Sequence, residues 1–478
     1  MSTPQKQTLS FVALISLVVG SMIGSGIFAL PAAFARTTGG VGAMIAWLIA
    51  GTGMLMLALV FQNLSMRRPD LDSGIYAYAK AGFGDYAGFV SAAGYWIGCC
   101  LADVACLVLI KATIGQFVPA FGDGTTALAI LSASLLLWGV HFLILRGIRE
   151  AAAINTIATI AKLVPIATFL FVAVVGMKRD VFAANLWGGE PTSLSSVAGQ
   201  VRATMLVTVF VFVGIEGASV YSRYARRRED VGLATVLGFL GVLCLLVMVT
   251  MFSYGVLLRP ELAALATPSM AGVMEAIVGP WGKVFVSVGL LISVLGNYLS
   301  WSLLAAEVLH SAARDNTMPS VLAKENARGV PAAALWLTNG LIQLFLLVTW
   351  FAEYAFILAL KMTSAMTLVP YLLVAAYGFK LAWRGEAYAP DEESRRRSAL
   401  VFGAIATLYA ASMLVFGGTK YLLLSALLYA PGTILFVMSR REQRHASVFR
   451  RGEAVLFAIL ALAAVVALFA LATGRLVI

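Results

Sequence analysis

The sequence predicts an all-α polytopic membrane protein of about 13 spans, with spans one and six interrupted at mid-membrane. Three observations predict it. Of 478 residues, 61% are hydrophobic and only 12% charged, against the roughly half and quarter typical of a soluble domain. The apolar residues come in blocks of about 20 or more, enough to cross a ~30 Å hydrocarbon core as helix. Two blocks carry paired glycines near their middles, at Gly24-Ser25-Gly26 and Gly214-Ile215-Glu216-Gly217. A soluble chain of this length would divide into two or three domains; in lipid, one bundle is expected.

In chain order the spans read as 9–35, 41–66, 86–118, 126–146, 151–177, 201–222, 231–258, 281–312, 332–351, 354–382, 399–417, 420–439 and 454–474. The third and eighth are long enough to tilt strongly or protrude. Ala33-Phe34-Ala35 matches a small-x-small cleavage pattern. The run from Leu9 to Leu30 before it is too long for a signal peptide and holds three glycines, so no cleavage is expected. The loops on one side carry 23 lysines and arginines against 7 on the other. Positive-inside topology then puts the N-terminus in the cytoplasm, in a cell inner membrane. An odd number of spans puts the C-terminus outside, unless the thirteenth lies on the surface.

The net charge of +11 reports this topology, and no nucleic-acid partner is expected. The runs Arg226-Arg227-Arg228 and Arg395-Arg396-Arg397 are explained by topology and contact with the lipid bilayer. Cys99, Cys100, Cys106 and Cys244 all lie in apolar blocks and read as packing residues. In the loop from Ala312 to Pro331, Ser320–Ala327 reads as a short amphipathic interfacial helix.

The interrupted spans carry the chemistry. Glycine in a helix interior costs about 1 kcal/mol relative to alanine, so two glycines around a serine mark a weak point. Close helix packing is the alternative. Spans one and six correspond if two five-span halves repeat, and glycine-interrupted segments at corresponding positions point to a transporter binding site. Unwinding frees N–H groups at the start of the second half-helix, which suit a carboxylate. The carbonyls it frees suit an ammonium. Such backbone survives at membrane depth only where it lines a cavity. Together the breaks read as an amino-acid clamp: carboxylate on Ser25 and Gly26, α-ammonium on the carbonyls near Ile23, Val213 and Gly214.

GSGIF followed by LP in span one, GIEGAS in span six and WSLLAAE in span eight make the chain resemble the amino acid–polyamine–organocation superfamily. Within it the chain resembles the basic amino acid/polyamine antiporters, arginine/ornithine exchange being the nearest match. The resemblance covers spans one to twelve. It implies a five-plus-five inverted repeat with discontinuous helices 1 and 6, working by alternating access. Residues 1–382 would form the ten-span core and 383–478 the peripheral spans 11–13, with a homodimer as the assembly. The resemblance sets Tyr95, Gly98, Cys99 and Asp103 along the substrate side-chain pocket. It makes Phe210 an aromatic lid, Trp301 an aromatic floor, Thr363 a side-chain contact and Tyr371 a gate. In sodium-coupled members a cation site ties span one to span eight. In some sodium-independent relatives a lysine at the position of Lys162 takes the ion's place, which implies no sodium requirement.

Ionisable groups at membrane depth are rare and costly, so each is a functional candidate. Asp103 shares a helical stripe with Tyr95, Cys99 and Cys106, at steps of four, four and three. There it would pair the distal cation of a basic amino acid; the alternative is a structural ion pair with Lys111. Acid-resistance relatives commonly carry an amide at this position, so the carboxylate argues for substrates cationic at both ends of the exchange. Glu216 either orients the unwound segment, gates in a proton-sensitive way as in relatives, or is a capped structural carboxylate. Trp301 stacks on a guanidinium or faces lipid. Glu307 and His310 either line a cytoplasmic exit or make structural hydrogen bonds. Lys361 has no assigned role.

The leading expectation is therefore antiport of a cationic amino acid against a related cation, arginine against ornithine, with arginine/agmatine- or lysine/cadaverine-type exchange and proton-coupled uptake as alternatives. A channel would need a polar pore stripe or filter, and none is found. An enzyme would need an intramembrane constellation, and His141, His310 and His445 share no catalytic spacing. No cofactor and no metal are expected. A sensor that binds amino acids without moving them stays open.

Overall fold

The computed structural model describes residues 11–71, 74–146, 151–188, 193–216, 228–352, 354–444 and 447–476. Gly217, Arg226, Arg227 and His445 fall outside these residues, as does the side chain of Arg228. Among the described residues there is no strand. In chain order the helices are α1 Phe11–Met22, α2 Leu30–Ala35, α3 Gly40–Arg67, α4 Ile75–Phe83, α5 Asp85–Gly115, α6 Ala127–Leu145, α7 Ala151–Gly176, α8 Arg179–Asn185 and α9 Leu194–Phe210. They continue as α10 Arg228–Ser253, α11 Arg259–Ala264, α12 Ser269–Val278, α13 Pro280–Arg314, α14 Ala332–Val348, α15 Ala355–Arg384, α16 Glu393–Phe416, α17 Thr419–Glu442 and α18 Arg451–Ala472.

Ten of the described helices are long and apolar enough to cross a membrane, and the bent pair of α1 and α2 makes an eleventh. The expected count of thirteen also includes 151–177, where α7 lies, and 201–222, part of which is outside the described residues. Helices α5 and α13 run to 31 and 35 residues. At 1.5 Å per residue that is about 46 and 52 Å, longer than the hydrocarbon core, so they tilt or protrude.

Helix α5 is the bundle's axis. Of its most apolar window 94% is buried, against 11% for α18, which presents its side chains outward. It packs on α13 and α15. Small residues allow the approach: a Cβ on Gly98 would fall 2.8 Å from the Thr367 hydroxyl of α15. Helix α1 lies against α10, and α7 against α13. Buried Cys99, Cys100 and Cys106 are free thiols within this packing; Cys244 is free and exposed.

Two local expectations need correction. Ser320–Ala327 is not a helix: a single 3₁₀ turn spans Ser320–Ala323. The Asn326 side chain then accepts from the N–H groups of Arg328 and Val330, at 2.9 and 3.1 Å, and closes a loop there instead. Conversely, α4, α8, α11 and α12 are helices in stretches read as loops, because each is too short to give a span signal. Glu307 and His310 each make a structural contact, as one of the two readings had it. His310 Nε2 lies 3.1 Å from Glu325, while Glu307 accepts from Ser311.

Candidate functional site: two facing breaks and a carboxylate knot

Helical bonding in the first span ends where the N–H of Ile23 reaches Val19 O at 2.9 Å. Gly24 is extended, and the chain resumes as a tight 3₁₀ turn, Ser25–Ala29, before α2. The two halves meet at a bend of 43°. Among the described residues, no hydrogen bond outside the regular helices uses the N–H of Ser25 or Gly26. Both residues are buried. Those N–H groups head a helical turn, where positive partial charge collects.

In the sixth span, α9 stops at Phe210 and residues 211–216 form successive turns. Gly214 takes φ +107°, a conformation that a residue with a Cβ rarely adopts. Turn bonds from the N–H groups of Phe212, Val213 and Ile215 to Val209, Phe210 and Phe212 hold this stretch, and the Phe212 side chain packs it. Its ring meets Trp47 edge-on at 6.0 Å and tilts over Phe239 at 5.2 Å. The breaks touch directly: Ser21 Oγ donates to the Gly214 carbonyl at 2.8 Å. A Cβ on Gly214 would lie 2.7 Å from Ser21 O, and one on Gly26 would meet Val211 at 2.7 Å and the Phe210 ring at 2.9 Å. Close backbone approach and the breaks are therefore the same feature.

A cavity of about 20 Å³ lies between the breaks. It has room for a water molecule and no amino acid. Ser25, Gly26, Phe210, Val213, Trp301 and Thr363 line it, as the sequence led one to expect of a binding site. Ser21, Met22, Gly24, Ala102, Cys106, Val211 and Asn297 complete the lining. Ile23, Tyr95, Gly98, Cys99, Asp103 and Gly214 are not part of it in this conformation. From α5 the cavity-facing residues are Ala102 and Cys106, one helical turn apart, and Asp103 is rotated off that line. Asp103 is fully buried, and neither of its carboxylate oxygens has a hydrogen-bond partner among the described residues. Lys111 is thus not its partner.

Tyr95 stands elsewhere. Its hydroxyl donates to Glu216, which also accepts from the Tyr371 hydroxyl at 2.6 Å and from the Gly214 N–H at 3.2 Å. One buried carboxylate joins α5, α15 and the unwound stretch of the sixth span.

Lys162 on α7 donates to the Gly20 carbonyl at 2.8 Å and to Asn297 Oδ1 at 3.2 Å. A single ammonium thus links the end of α1 to α13. Asn297 passed unnoticed in the sequence. A lone amide in the middle of an apolar span is the signal that would have found it.

Broken helices set against each other around a buried cavity are the architecture of a transporter, and comparison with known proteins agrees. The family model for amino acid permeases matches residues 9–438. The chain belongs to the amino acid permease family. The permease is 51% identical to an arginine/ornithine antiporter of Pseudomonas aeruginosa, over 99% of both chains. It is 41% identical to an L-lysine transport protein of Corynebacterium glutamicum, over 98% of this chain and 96% of the other. It is 37% identical to an arginine/agmatine antiporter of Chlamydia pneumoniae, over 99% of both.

Proposed function

We propose that the permease is a secondary active transporter that exchanges arginine for ornithine by alternating access. It would lie in a cell inner membrane with its N-terminus in the cytoplasm, built from a ten-span core (1–382) and peripheral spans 11–13 (383–478), and assembled as a homodimer. The near-full-length similarity to an arginine/ornithine antiporter supports the substrate pair. The observation that carries the cationic side chain is Asp103, a buried carboxylate with no hydrogen-bond partner among the described residues, next in sequence to cavity-lining Ala102 and turned off the cavity in this conformation. An unpaired charge at that depth costs several kcal/mol, and a guanidinium or ammonium entering the cavity would offset it.

In this reading Ser25 and Gly26 hold the α-carboxylate through their N–H groups, and the carbonyls near Ile23, Val213 and Gly214 hold the α-ammonium. Trp301 and Thr363 contact the side chain, which runs toward Gly98, Cys99 and Asp103. Phe210 is the lid, and Glu216 with Tyr95 and Tyr371 is the gate at the opposite end. Lys162 replaces a coupling cation, so exchange is independent of sodium. Both substrates carry about one net positive charge, so one-for-one exchange moves no net charge.

The test is uptake of labelled arginine into proteoliposomes loaded with ornithine, at several pH values and without sodium. Uptake that requires internal ornithine is expected. Uptake that ignores the internal load would overturn exchange, a preference for internal agmatine or cadaverine would reassign the pair, and no uptake at all would leave a sensor.

A further inference from the structure

A second, larger cavity of about 780 Å³ opens at the end of the bundle that carries the loops after α2, after α10 and before α17. This is the end with few basic loop residues, hence the outer face. Ala203 and Val207 of α9 line it, and Phe210, one helical turn further along the same face, lines the inner cavity. The vestibule and the inner cavity therefore lie along one face of α9.

Its charge is unexpected for a path taken by cations. Arg36, Lys361 and Lys420 all line it, and no acidic side chain does among the described residues; Glu353, between lining Ala352 and Tyr354, lies outside them. Two tyrosines hold the cations in place. Lys361 and Lys420 lie 5.6 and 5.8 Å from the Tyr421 ring centre, and Arg36 lies 5.6 Å from that of Tyr354. Arg36 is further fixed by donating to Ala263 O at 3.0 Å. No ion pair is made by any of the three among the described residues.

We propose that this vestibule is a charge filter: it passes substrates that keep their α-carboxylate and rejects the diamines left when that carboxylate is removed. Arginine and ornithine bring one net positive charge and a carboxylate that the three cations attract. Agmatine and putrescine bring two positive charges and nothing to attract. A unit charge about 8 Å away across water changes a cation's occupancy roughly twofold, so three change it about tenfold per extra charge on the ligand. The clamp then receives a carboxylate already turned toward the protein. The inference rests on the exchange reading, and it bears on which ligands can enter from outside: arginine and other cationic amino acids rather than their decarboxylation products.

The experiment uses full-length protein in proteoliposomes loaded with ornithine, with labelled arginine outside and unlabelled competitors in the outer medium. For the wild type, agmatine and putrescine should compete about tenfold more weakly than ornithine at low ionic strength. The K361Q/K420Q pair should cut that difference at least about threefold, leaving the share that the clamp itself contributes, and K361R/K420R should restore it. Raising salt to about 1 M should erase most of the wild-type preference, because the screening length falls to ~3 Å. A competitor ratio that is the same in wild type and K361Q/K420Q overturns the filter while leaving exchange standing. A wild type that does not exchange arginine for ornithine overturns the exchange reading itself. The ratio is internal to each preparation, so a poorly folded variant changes total uptake without imitating either result.

Discussion

Replacing Tyr371 by phenylalanine removes one hydroxyl and little else. The ring stays edge-on to Phe61, 6.1 Å between centres at 80°. What is lost is a 2.6 Å hydrogen bond to Glu216. Bonds to charged groups contribute about 1.5–3 kcal/mol. Glu216 would keep its donors from Tyr95 and Gly214, so it is not orphaned and the lower half of that range applies, about 1.5–2 kcal/mol. Glu216→Ala is harsher. It strands two tyrosine hydroxyls and one N–H, at about 1–3 kcal/mol each if they stay buried. Because one carboxylate serves all three donors, their effects should not add. Thermal unfolding of detergent-solubilised protein, run as a double-mutant cycle over Tyr95→Phe and Tyr371→Phe, measures this. A coupling of about 1 kcal/mol or more is expected. In transport, loosening a contact made in this conformation should shift the population roughly tenfold toward the alternate one. Additivity of the two phenylalanine variants within about 0.5 kcal/mol would refute the knot as a unit.

Four further outcomes follow from the same geometry. Gly26→Ala places a Cβ against Val211 and Phe210; overpacking of this kind costs about 1–3 kcal/mol, and Phe210→Leu should recover part of the lost stability and exchange. Gly214→Ala combines a φ of +107° with contact on Ser21 O, so exchange should be lost even where protein still reaches the membrane, read as uptake per unit of purified protein. Lys162→Met removes both bonds to Gly20 and Asn297, and should lower exchange at least tenfold, whereas wild-type rates should be equal in sodium and choline media. Asp103→Asn should weaken arginine and ornithine far more than a neutral analogue in competition assays, and equal losses would show a purely structural carboxylate.

Much of the frame was legible because lipid simplifies the problem. Apolar length marks a span, so α3, α5, α13 and α15 fall close to where the blocks lie. The breaks were legible for a related reason. Gly24, Gly26 and Gly214 make poor helix, and at membrane depth a weak helix survives only beside a cavity or another backbone. What was not legible is rotation. Tyr95, Cys99, Asp103 and Cys106 share a stripe about as wide as a helix face. Sequence spacing could not tell that α5 turns Ala102 and Cys106 to the cavity, and Tyr95 to a carboxylate on another span. Pairings between spans, such as Lys162 with Gly20 and Asn297, depend on which helices become neighbours. The short helices α4 and α12 were missed because they bury themselves against the bundle without ever needing to cross it.

The interrupted sixth span also separates two tasks that a continuous helix would combine. Phe210 is the last residue of α9, and the N–H groups of Val211, Phe212 and Val213 still bond back to Val207, Val209 and Phe210, so its ring leaves Gly26 only if these end-of-helix bonds yield. Three residues later Gly214 is clamped by Ser21 on one side and by Glu216 on the other. Movement at the lid therefore stops at Gly214 unless the Glu216 knot also yields, and the knot yields only if Tyr95 and Tyr371 let go. In the proposed exchange, a lid that opened while the knot held would give access from the vestibule alone, and a knot that opened while Phe210 sat on Gly26 would give access from the other end alone. On that reading the mutual exclusion that exchange requires would fall within residues 211–216. Around the cavity between them, at about 20 Å³, the Phe210 ring lies against Gly26 and Glu216 is bonded to both tyrosines.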